Sequence, residues 1–266
     1  MKTRTLSAIV ALAIFIPIFI IGGLPYQILI YTLSMLGLKE FLHVKRTKKE
    51  IPIFIEIISY VILTLLVLSN KQSSELIYTI DYRLIAGLFL VYLIPTVLYH
   101  DNNIFSISDA FYLIGGIFFL GTSFALMIII RNISLNLLIY LFLITIITDT
   151  YAYITGCLIG KHKLLEEISP NKTWEGMIGG TIFGVLIASV FYYNVIDVNI
   201  SINILILMTL FLSIIGQFGD LAFSAIKRYF GVKDFSNIMP GHGGILDRFD
   251  SIIFVVLAFM FFINII

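Results

Sequence analysis

The sequence predicts an all-α polytopic integral membrane protein with about nine transmembrane helices. Of its 266 residues, 59% are hydrophobic and 12% are charged, and the mean hydropathy is +1.04. This composition excludes an ordinary soluble domain. The apolar residues fall into stretches of roughly 17–25 residues, the length at which a helix crosses about 30 Å of hydrocarbon while satisfying its own backbone hydrogen bonds. A net charge of +1 gives no indication of a nucleic-acid partner.

The predicted spans follow one another along the chain. They cover residues 6–23, 26–42, 51–69, 84–99, 110–130, 135–159, 177–196, 202–226 and 251–266. A tight Gly-Gly-Leu-Pro turn joins the first two spans, a basic run from Lys45 to Lys49 precedes the third, and Pro95 predicts a kink in the fourth. We interpret the apolar N-terminal stretch as a retained span because it is too long for the core of a signal peptide. We assign residues 1–133 to an N-terminal region for embedding and dimerisation, and residues 134–266 to a catalytic region with two motif loops.

The distribution of Lys and Arg predicts which side of the membrane holds the N-terminus. An odd number of spans places the two termini on opposite sides. With a cytoplasmic N-terminus, fourteen cationic residues fall on the cytoplasmic side and three, Lys71, Arg83 and Arg131, fall on the other. Because positive charge favours the cytoplasmic side, we predict this orientation. Both polar loops of the C-terminal half, residues 160–176 and 227–250, then face the cytoplasm.

Four aspartates in the C-terminal half are candidates for a metal site. Asp149 and Asp220 lie inside predicted spans, where an ionised acid costs about 2.5–3.5 kcal/mol at mid-bilayer and usually faces a polar cavity. Asp247 and Asp250 share a face if the last helix begins near Leu246. An all-oxygen ligand set suits a hard cation such as Mg²⁺, which substrate phosphates usually complete. The structural alternative for the last two aspartates is a favourable charge at a helix N-terminus.

Cationic residues surround a glycine-rich turn in the loop before the last span. The cations predicted to hold phosphates are Lys227, Arg228, Lys233 and Arg248. Glycines in this turn can take positive φ, so Gly243 and Gly244 are predicted to let the backbone approach a phosphate. We interpret His242 as a hydrogen-bond donor or loop organiser rather than a general base. Ser224 and Lys227 follow Asp220 at helical spacing, which predicts one shared face.

The polar loop that comes first in the chain contains the segment from Ser169 to Gly176, which holds the single tryptophan of the chain. We predict that Lys172 and Thr173 contact phosphate and that Trp174 forms a wall of a lipid-headgroup pocket. The alternative for Trp174 is an interfacial aromatic anchor at the start of a helix.

These motifs resemble the signature of the phosphatidate cytidylyltransferase family, also called CDP-diacylglycerol synthases. The resemblance rests on Ser224, Lys227, Arg228, Lys233, Asp234, Pro240, His242, Gly243, Gly244, Asp247, Arg248 and Asp250, together with Asp149 and the Ser169–Gly176 loop. It implies a multi-pass enzyme of the cell membrane that uses Mg²⁺ and often forms homodimers. The resemblance also implies a monovalent cation such as K⁺ beside the Mg²⁺.

We therefore expect the chain to join CTP and phosphatidate into CDP-diacylglycerol and pyrophosphate at the cytoplasmic membrane face. Asp220, Asp247 and Asp250 are expected at the metal, with Asp149 next. One alternative is a related CTP-dependent enzyme acting on another lipid phosphate, or a polyprenol-type lipid kinase. The other is a transporter, which would also place acids within spans but would not need the cationic glycine-rich loop.

Overall fold

The computed structural model describes residues 13–68, 82–196, 200–239, 241 and 243–263, and these form a succession of helices. The first helical segment, α1, covers residues 13–21. The helices that follow are α2 (Gly23–Arg46), α3 (Ile53–Leu68), α4 (Tyr82–Leu98), α5 (Ile107–Ile133), α6 (Leu135–Ile159), α7 (Trp174–Val195), α8 (Ile202–Tyr229) and α9 (Leu246–Phe259). Two short strands, β1 (Lys163–Leu165) and β2 (Ser169–Thr173), form an antiparallel hairpin between α6 and α7.

Each predicted span overlaps a helix in the part of the chain that the structure describes, but the ninth differs at its end. Helix α9 ends at Phe259 and turns follow it, whereas the sequence predicts a span to residue 266, of which the last three residues lie outside the described part. The sixth predicted span has the same limits as α6, and Pro95 lies inside α4. Helices α5 to α8 are the four described helices that are long and apolar enough to cross a membrane, while α3 and α4 are shorter and apolar. The beginning of the first predicted span lies outside the described residues. The last helix begins at Leu246, before its apolar run, because its first turn is polar.

The β1–β2 hairpin lies in a segment for which the sequence predicted only a polar loop. Its strands pair Lys163 with Thr173 and Leu165 with Ser169. The N–H of Trp174 donates to the carbonyl oxygen of His162 at 3.0 Å, so the hairpin closes directly onto the first residue of α7. Five residues of strand are too few to show an alternating apolar pattern.

The chain forms two compact units, each built from two separate stretches of sequence. Unit 1 contains the helices up to Ile129 together with Asp234–Leu246. Unit 2 contains Ile130–Lys233 together with the chain from Asp247 onward. The glycine-rich turn therefore belongs to the N-terminal unit, although it lies near the C-terminal end of the sequence.

Unit 1 packs through aromatic contacts and buried hydrogen bonds between helices. Phe41 of α2 stacks on Tyr112 of α5 with ring centroids 4.4 Å apart. A side chain at Gly116 would overlap the Phe41 ring, so this close approach requires glycine. The Tyr92 hydroxyl donates to Ser59 Oγ at 2.7 Å, and both residues are fully buried. Such pairing avoids the cost of leaving polar groups unsatisfied inside apolar helices.

An ion-pair cluster joins α2 to α5 within unit 1. Asp109, in the first turn of α5, accepts from the ammonium groups of Lys45 and Lys49. The same carboxylate accepts from the N–H and the hydroxyl of Ser106 at 2.9 and 2.7 Å. Asp109 is only 5% exposed, so little of its carboxylate remains open to solvent or to a ligand.

Unit 2 packs α6 against α7 through small residues. The buried residues Gly176, Gly180, Gly184 and Ala188 recur every four positions along α7. A Cβ at Gly180 or Gly184 would collide with Thr148 of α6, so this spacing sets the distance between the two backbones. Hydrogen bonds between hydroxyls then attach α8, of which the Thr148–Ser213 contact at 2.8 Å is one.

Candidate active site

Three aspartates from three helices of unit 2 lie close together. Asp149 is on α6, Asp220 on α8 and Asp250 on α9, and each is near enough to repel the other two. The Ser251 hydroxyl lies 3.4 Å from Asp149 Oδ2 and 3.5 Å from Asp250 Oδ1. Asp149 is exposed, whereas Asp220 and Asp250 are partly exposed. Each of the three residues therefore keeps some exposed surface.

Glycines on α8 allow α9 to approach this group. A Cβ at Gly219, the residue before Asp220, would lie 2.9 Å from the carbonyl oxygen of Asp250. A Cβ at Gly216 would lie 2.9 Å from the Val255 side chain. Both distances are shorter than real Cβ contacts, so a larger residue at either position would move α9 and change the separation of the aspartates.

Two lysines pair with two of the predicted metal ligands. Lys172 Nζ lies 2.6 Å from Asp220 Oδ2, and Lys227 Nζ lies 2.6 Å from Asp247 Oδ1. The side chains of the second pair are 9% and 3% exposed, against 28% and 30% for the first. Water and salt screen the Lys227–Asp247 pair less, so it is the more firmly held of the two.

Helical spacing on α8 produces the shared face that the sequence predicts. Ser224 lies one turn after Asp220, and its hydroxyl donates to Asp220 Oδ1 at 3.3 Å. Lys227 is on the next turn and is buried, as is Ser224. The face therefore carries an acid, a hydroxyl and an ammonium group in succession.

The hairpin and the start of α7 hold Lys172 in place. Thr173 caps α7, because its hydroxyl oxygen accepts from the N–H of Gly176 at 3.1 Å. Glu175 accepts from the N–H of Lys161 at 3.2 Å and lies 2.6 Å from His162 Nδ1. Trp174, between them, is 51% exposed. Phosphate contacts from Lys172 and Thr173, and the headgroup role of Trp174, stay predictions.

Arg228 connects the hairpin to the segment after α8. Its Nε donates to the Ile168 carbonyl at 3.3 Å, and its Nη1 donates to the Val232 carbonyl at 3.1 Å. These contacts bring the two predicted motif loops together within unit 2. Lys233 and Arg248 are exposed.

The glycine-rich turn of unit 1 has positive φ at Gly243, as the sequence allows, but not at Gly244. Gly241 and Gly243 have φ of 78° and 80°, a region that L side chains rarely adopt. The N–H of Met239 donates to the Gly243 carbonyl at 3.0 Å and closes the turn. His242 lies outside the described residues, and its role stays a prediction, as do the phosphate contacts of Gly243 and Gly244.

A buried glutamate that sequence reasoning missed contacts this turn. Glu40 of α2 is 1% exposed. Its Oε1 accepts from Ser236 Oγ at 2.6 Å and from the N–H of Ile245 at 2.8 Å, and its Oε2 accepts from the N–H of Leu246 at 2.8 Å. The signal was an acid within the predicted span 26–42, because such residues in apolar helices usually have a specific partner.

The oxygen donors suit a divalent cation that is completed by its substrate. Among the described residues, no group of three or more His, Cys, Asp or Glu side chains is arranged to hold a metal ion alone. Mg²⁺ in nucleotide sites is usually bound by one or two carboxylates plus phosphate oxygens, so a complete protein cage is not required. The aspartates of unit 2 fit this kind of site, and the two lysines would add ammonium donors for phosphate oxygens.

Comparison with known proteins identifies the family. Residues 2–266 match the sequence profile of the Cytidylyltransferase family. Over 257 residues the chain is 41% identical to the phosphatidate cytidylyltransferases of Staphylococcus haemolyticus and Staphylococcus epidermidis, and 40% identical to that of Staphylococcus aureus. Each alignment covers 96% of this chain and 96% of the relative. With a profile match along nearly its whole length and relatives of this similarity, the chain belongs to the cytidylyltransferase family.

Proposed function

We propose that this chain is a phosphatidate cytidylyltransferase, which converts CTP and phosphatidate into CDP-diacylglycerol and pyrophosphate. A phosphate oxygen of phosphatidate attacks the α-phosphorus of CTP and forms the new P–O–P bond. The bond from the α-phosphorus to the β-phosphate breaks in line, and its electron pair leaves with pyrophosphate. The phosphate dianion of phosphatidate is already a nucleophile, so this displacement requires no general base.

The observation that carries this proposal is the group of aspartates and lysines in unit 2, in a chain whose relatives bear this name. Nucleotidyl transfer requires positive charge around the phosphates and carboxylates that bind a divalent cation. Helices α6, α8 and α9 and the hairpin bring both kinds of group together in unit 2.

Mg²⁺ is the cofactor that this donor set supports. Asp220, Asp247 and Asp250 would hold it, with Asp149 next. When bound, Mg²⁺ neutralises charge on the triphosphate and on the leaving pyrophosphate. A monovalent cation such as K⁺ would lie beside the Mg²⁺, as the resemblance to the family implies.

The cationic side chains would bind the phosphates. Lys227 is held by Asp247 and would act from a fixed position, whereas Lys233 and Arg248 are exposed and would meet the substrate from solvent. Arg228 uses two N–H groups on backbone carbonyls, out of the five that a guanidinium carries.

Hydroxyl groups supply weaker contacts. The Thr173 oxygen accepts the cap bond of α7, which leaves its own proton to donate to a phosphate. Ser224 would act beside Asp220. In the turn, Gly243 and Gly244 would offer close backbone approach and His242 a hydrogen-bond donor.

The lipid would reach the site from the bilayer. Trp174 is half exposed at the first residue of α7, which suits a wall around a headgroup at the membrane surface. The acyl chains would stay in hydrocarbon and enter between helices, so only the phosphate headgroup would enter the polar site.

We also propose a multi-pass cell-membrane topology with about nine spans, a cytoplasmic N-terminus and a homodimeric assembly. The bias of Lys and Arg supports the orientation. The active site would then face the cytoplasm, where CTP is available.

The test is a product assay with the purified chain in lipid nanodiscs containing phosphatidate, supplied with CTP labelled at either the α- or the γ-phosphate. We expect the α-label in the lipid product and the γ-label in pyrophosphate. A γ-label in the lipid would indicate a kinase. Solute counterflow in proteoliposomes without CTP, together with no labelled lipid, would indicate a transporter.

A further inference from the structure

We infer that Glu40 is a positioning residue for this reaction, because its carboxylate fixes the glycine-rich turn and the first residue of α9. The inference rests on the proposed function for its effect on turnover, whereas the anchoring itself is a property of unit 1. The position of Glu40 in an apolar span indicates that it has a partner, but the local sequence does not say which, since its partners follow 196 to 206 residues later.

The hydrogen bonds to Glu40 come from residues before and after the glycine-rich turn. Ser236 lies before the turn and donates through its hydroxyl, while Ile245 and Leu246 lie after it and donate through backbone N–H groups. A single carboxylate thus holds both ends of the segment that contains Gly241 and Gly243. Bonds to an ionised acceptor are shorter and about twice as strong as neutral ones.

The two backbone donors are N–H groups at the start of a helix. Such groups have no intrahelical acceptor, and the positive end of the helix dipole favours a negative charge beside them. Capping is usually done by the residue just before the helix. Here the cap comes from α2, because Glu40 accepts from the first residue of α9.

Two glycines make room for the contact. A Cβ at Gly244 would overlap the Glu40 carboxylate, and a Cβ at Gly37, one turn before Glu40, would lie 3.0 Å from Leu246 Cδ2. Leu246 is fully buried and Ile245 is 5% exposed. The surroundings of the Glu40 carboxylate are therefore complementary to it in shape as well as in charge.

The link to chemistry is the covalent continuity of α9. Leu246 is its first residue, Asp247 follows at once, and Asp250 lies one turn further. Loss of the hydrogen bonds to Glu40 would allow the first turn of α9 to fray or shift. A displacement of about 1 Å in a positioned catalytic group costs on the order of 10²-fold in rate.

The experiment compares Glu40→Gln with the wild type in nanodiscs. Glutamine keeps the size of the side chain but replaces an accepting oxygen by an amide that opposes a backbone N–H. We expect kcat to fall on the order of 10²-fold, with little change in KM for CTP because substrate binding is not the function removed. We also expect faster hydrogen exchange at the amides of Ile245 and Leu246.

Two further variants separate positioning from stability. Tyr92→Phe removes a fully buried hydrogen bond elsewhere in unit 1 and should leave kcat and both amides unchanged. Ser236→Ala removes the hydroxyl donor to Glu40 and should lower kcat less than Glu40→Gln, with both amides still protected.

The outcomes distinguish failure of the inference from failure of the proposed function. Wild-type kcat or unchanged amide exchange in Glu40→Gln overturns the inference. The inference is also overturned if Glu40→Gln and Tyr92→Phe lower Tm equally and the folded fraction of Glu40→Gln has normal turnover. A wild-type chain that makes no CDP-diacylglycerol overturns the proposed function instead, and the amide exchange still tests the anchor.

Discussion

Each unit of the molecule pairs aspartates with lysines, but the balance of charge differs. In unit 1, one carboxylate, Asp109, meets the two ammonium groups of Lys45 and Lys49 and two donors from Ser106. In unit 2, three mutually repelling aspartates share one described ion pair, Lys172–Asp220. In the first cluster the carboxylate has a full set of donors and holds helices together. In the second, the aspartates outnumber the lysine that pairs with them, which suits the binding of a cation.

The comparison shows that residue type alone does not separate structural from reactive acids. Asp109 and Asp220 are both acids within helices of an apolar chain. The difference lies in how many donors reach each carboxylate, and a closed set of donors leaves no oxygen for a ligand. Substitutions in the two clusters test this difference.

Asp250→Asn should lower kcat/KM for CTP on the order of 10³-fold or more, because it removes charge from the group that would hold Mg²⁺. The protein should remain folded in detergent, since the amide keeps the shape of the carboxylate. Chelation of Mg²⁺ should abolish wild-type turnover, and added Mg²⁺ should restore it. Glu166→Gln, in the exposed hairpin turn, is the matched control. Near-normal turnover of purified Asp250→Asn would remove the metal assignment.

Lys227→Met should lower turnover about 10²-fold and lower Tm as well, because Asp247 is then buried without its ammonium partner, a change that costs about 3–5 kcal/mol in buried pairs. The double variant Lys227→Met/Asp247→Asn should regain Tm but not turnover, since a neutral pair no longer carries a buried charge. Recovery of both would show that this ion pair is structural, like that of Asp109.

Lys172→Met should raise KM for CTP about tenfold, one phosphate contact being worth about 1.4 kcal/mol. Its effect on Tm should be small because this pair is about 30% exposed and such pairs contribute about 0–1 kcal/mol. Equal KM in the variant and the wild type would place Lys172 outside the substrate site.

Asp109→Asn should have the smallest effect on turnover. We expect Tm to fall because two lysines lose their carboxylate partner, while kcat of the folded protein stays within about twofold. Thermal unfolding and turnover should be measured on the same preparation. A loss of turnover comparable to that of Asp250→Asn would break the distinction between the two clusters.

The helices and much of the unit 2 site follow from local patterns in the sequence. The apolar run of α6 has the predicted limits, and the spacing of Asp220 and Ser224 gives the predicted shared face, on which the two side chains also form a hydrogen bond. Positive φ at Gly241 and Gly243 follows from residue type. These features depend on helical period, hydropathy and backbone sterics, which can be predicted from short stretches of sequence.

The rest depends on contacts between distant residues. The Glu40 anchor joins positions about 200 residues apart, and no local pattern records its partners. The hairpin is too short for a strand pattern, and its order comes from the cap of Thr173 and the contacts of Glu175. The Lys172–Asp220 pair likewise requires the hairpin to fold back on α8.

The discontinuous composition of unit 1 has a consequence for biosynthesis. At about 5–20 residues per second, Glu40 would be synthesised roughly 10–40 s before Ser236, Ile245 and Leu246. The N-terminal helices therefore cannot reach their final packing during translation of the first half of the chain. Expression of residues 1–133 alone would omit every one of these donors, and that fragment should be recognised by quality-control proteases as an incomplete membrane domain.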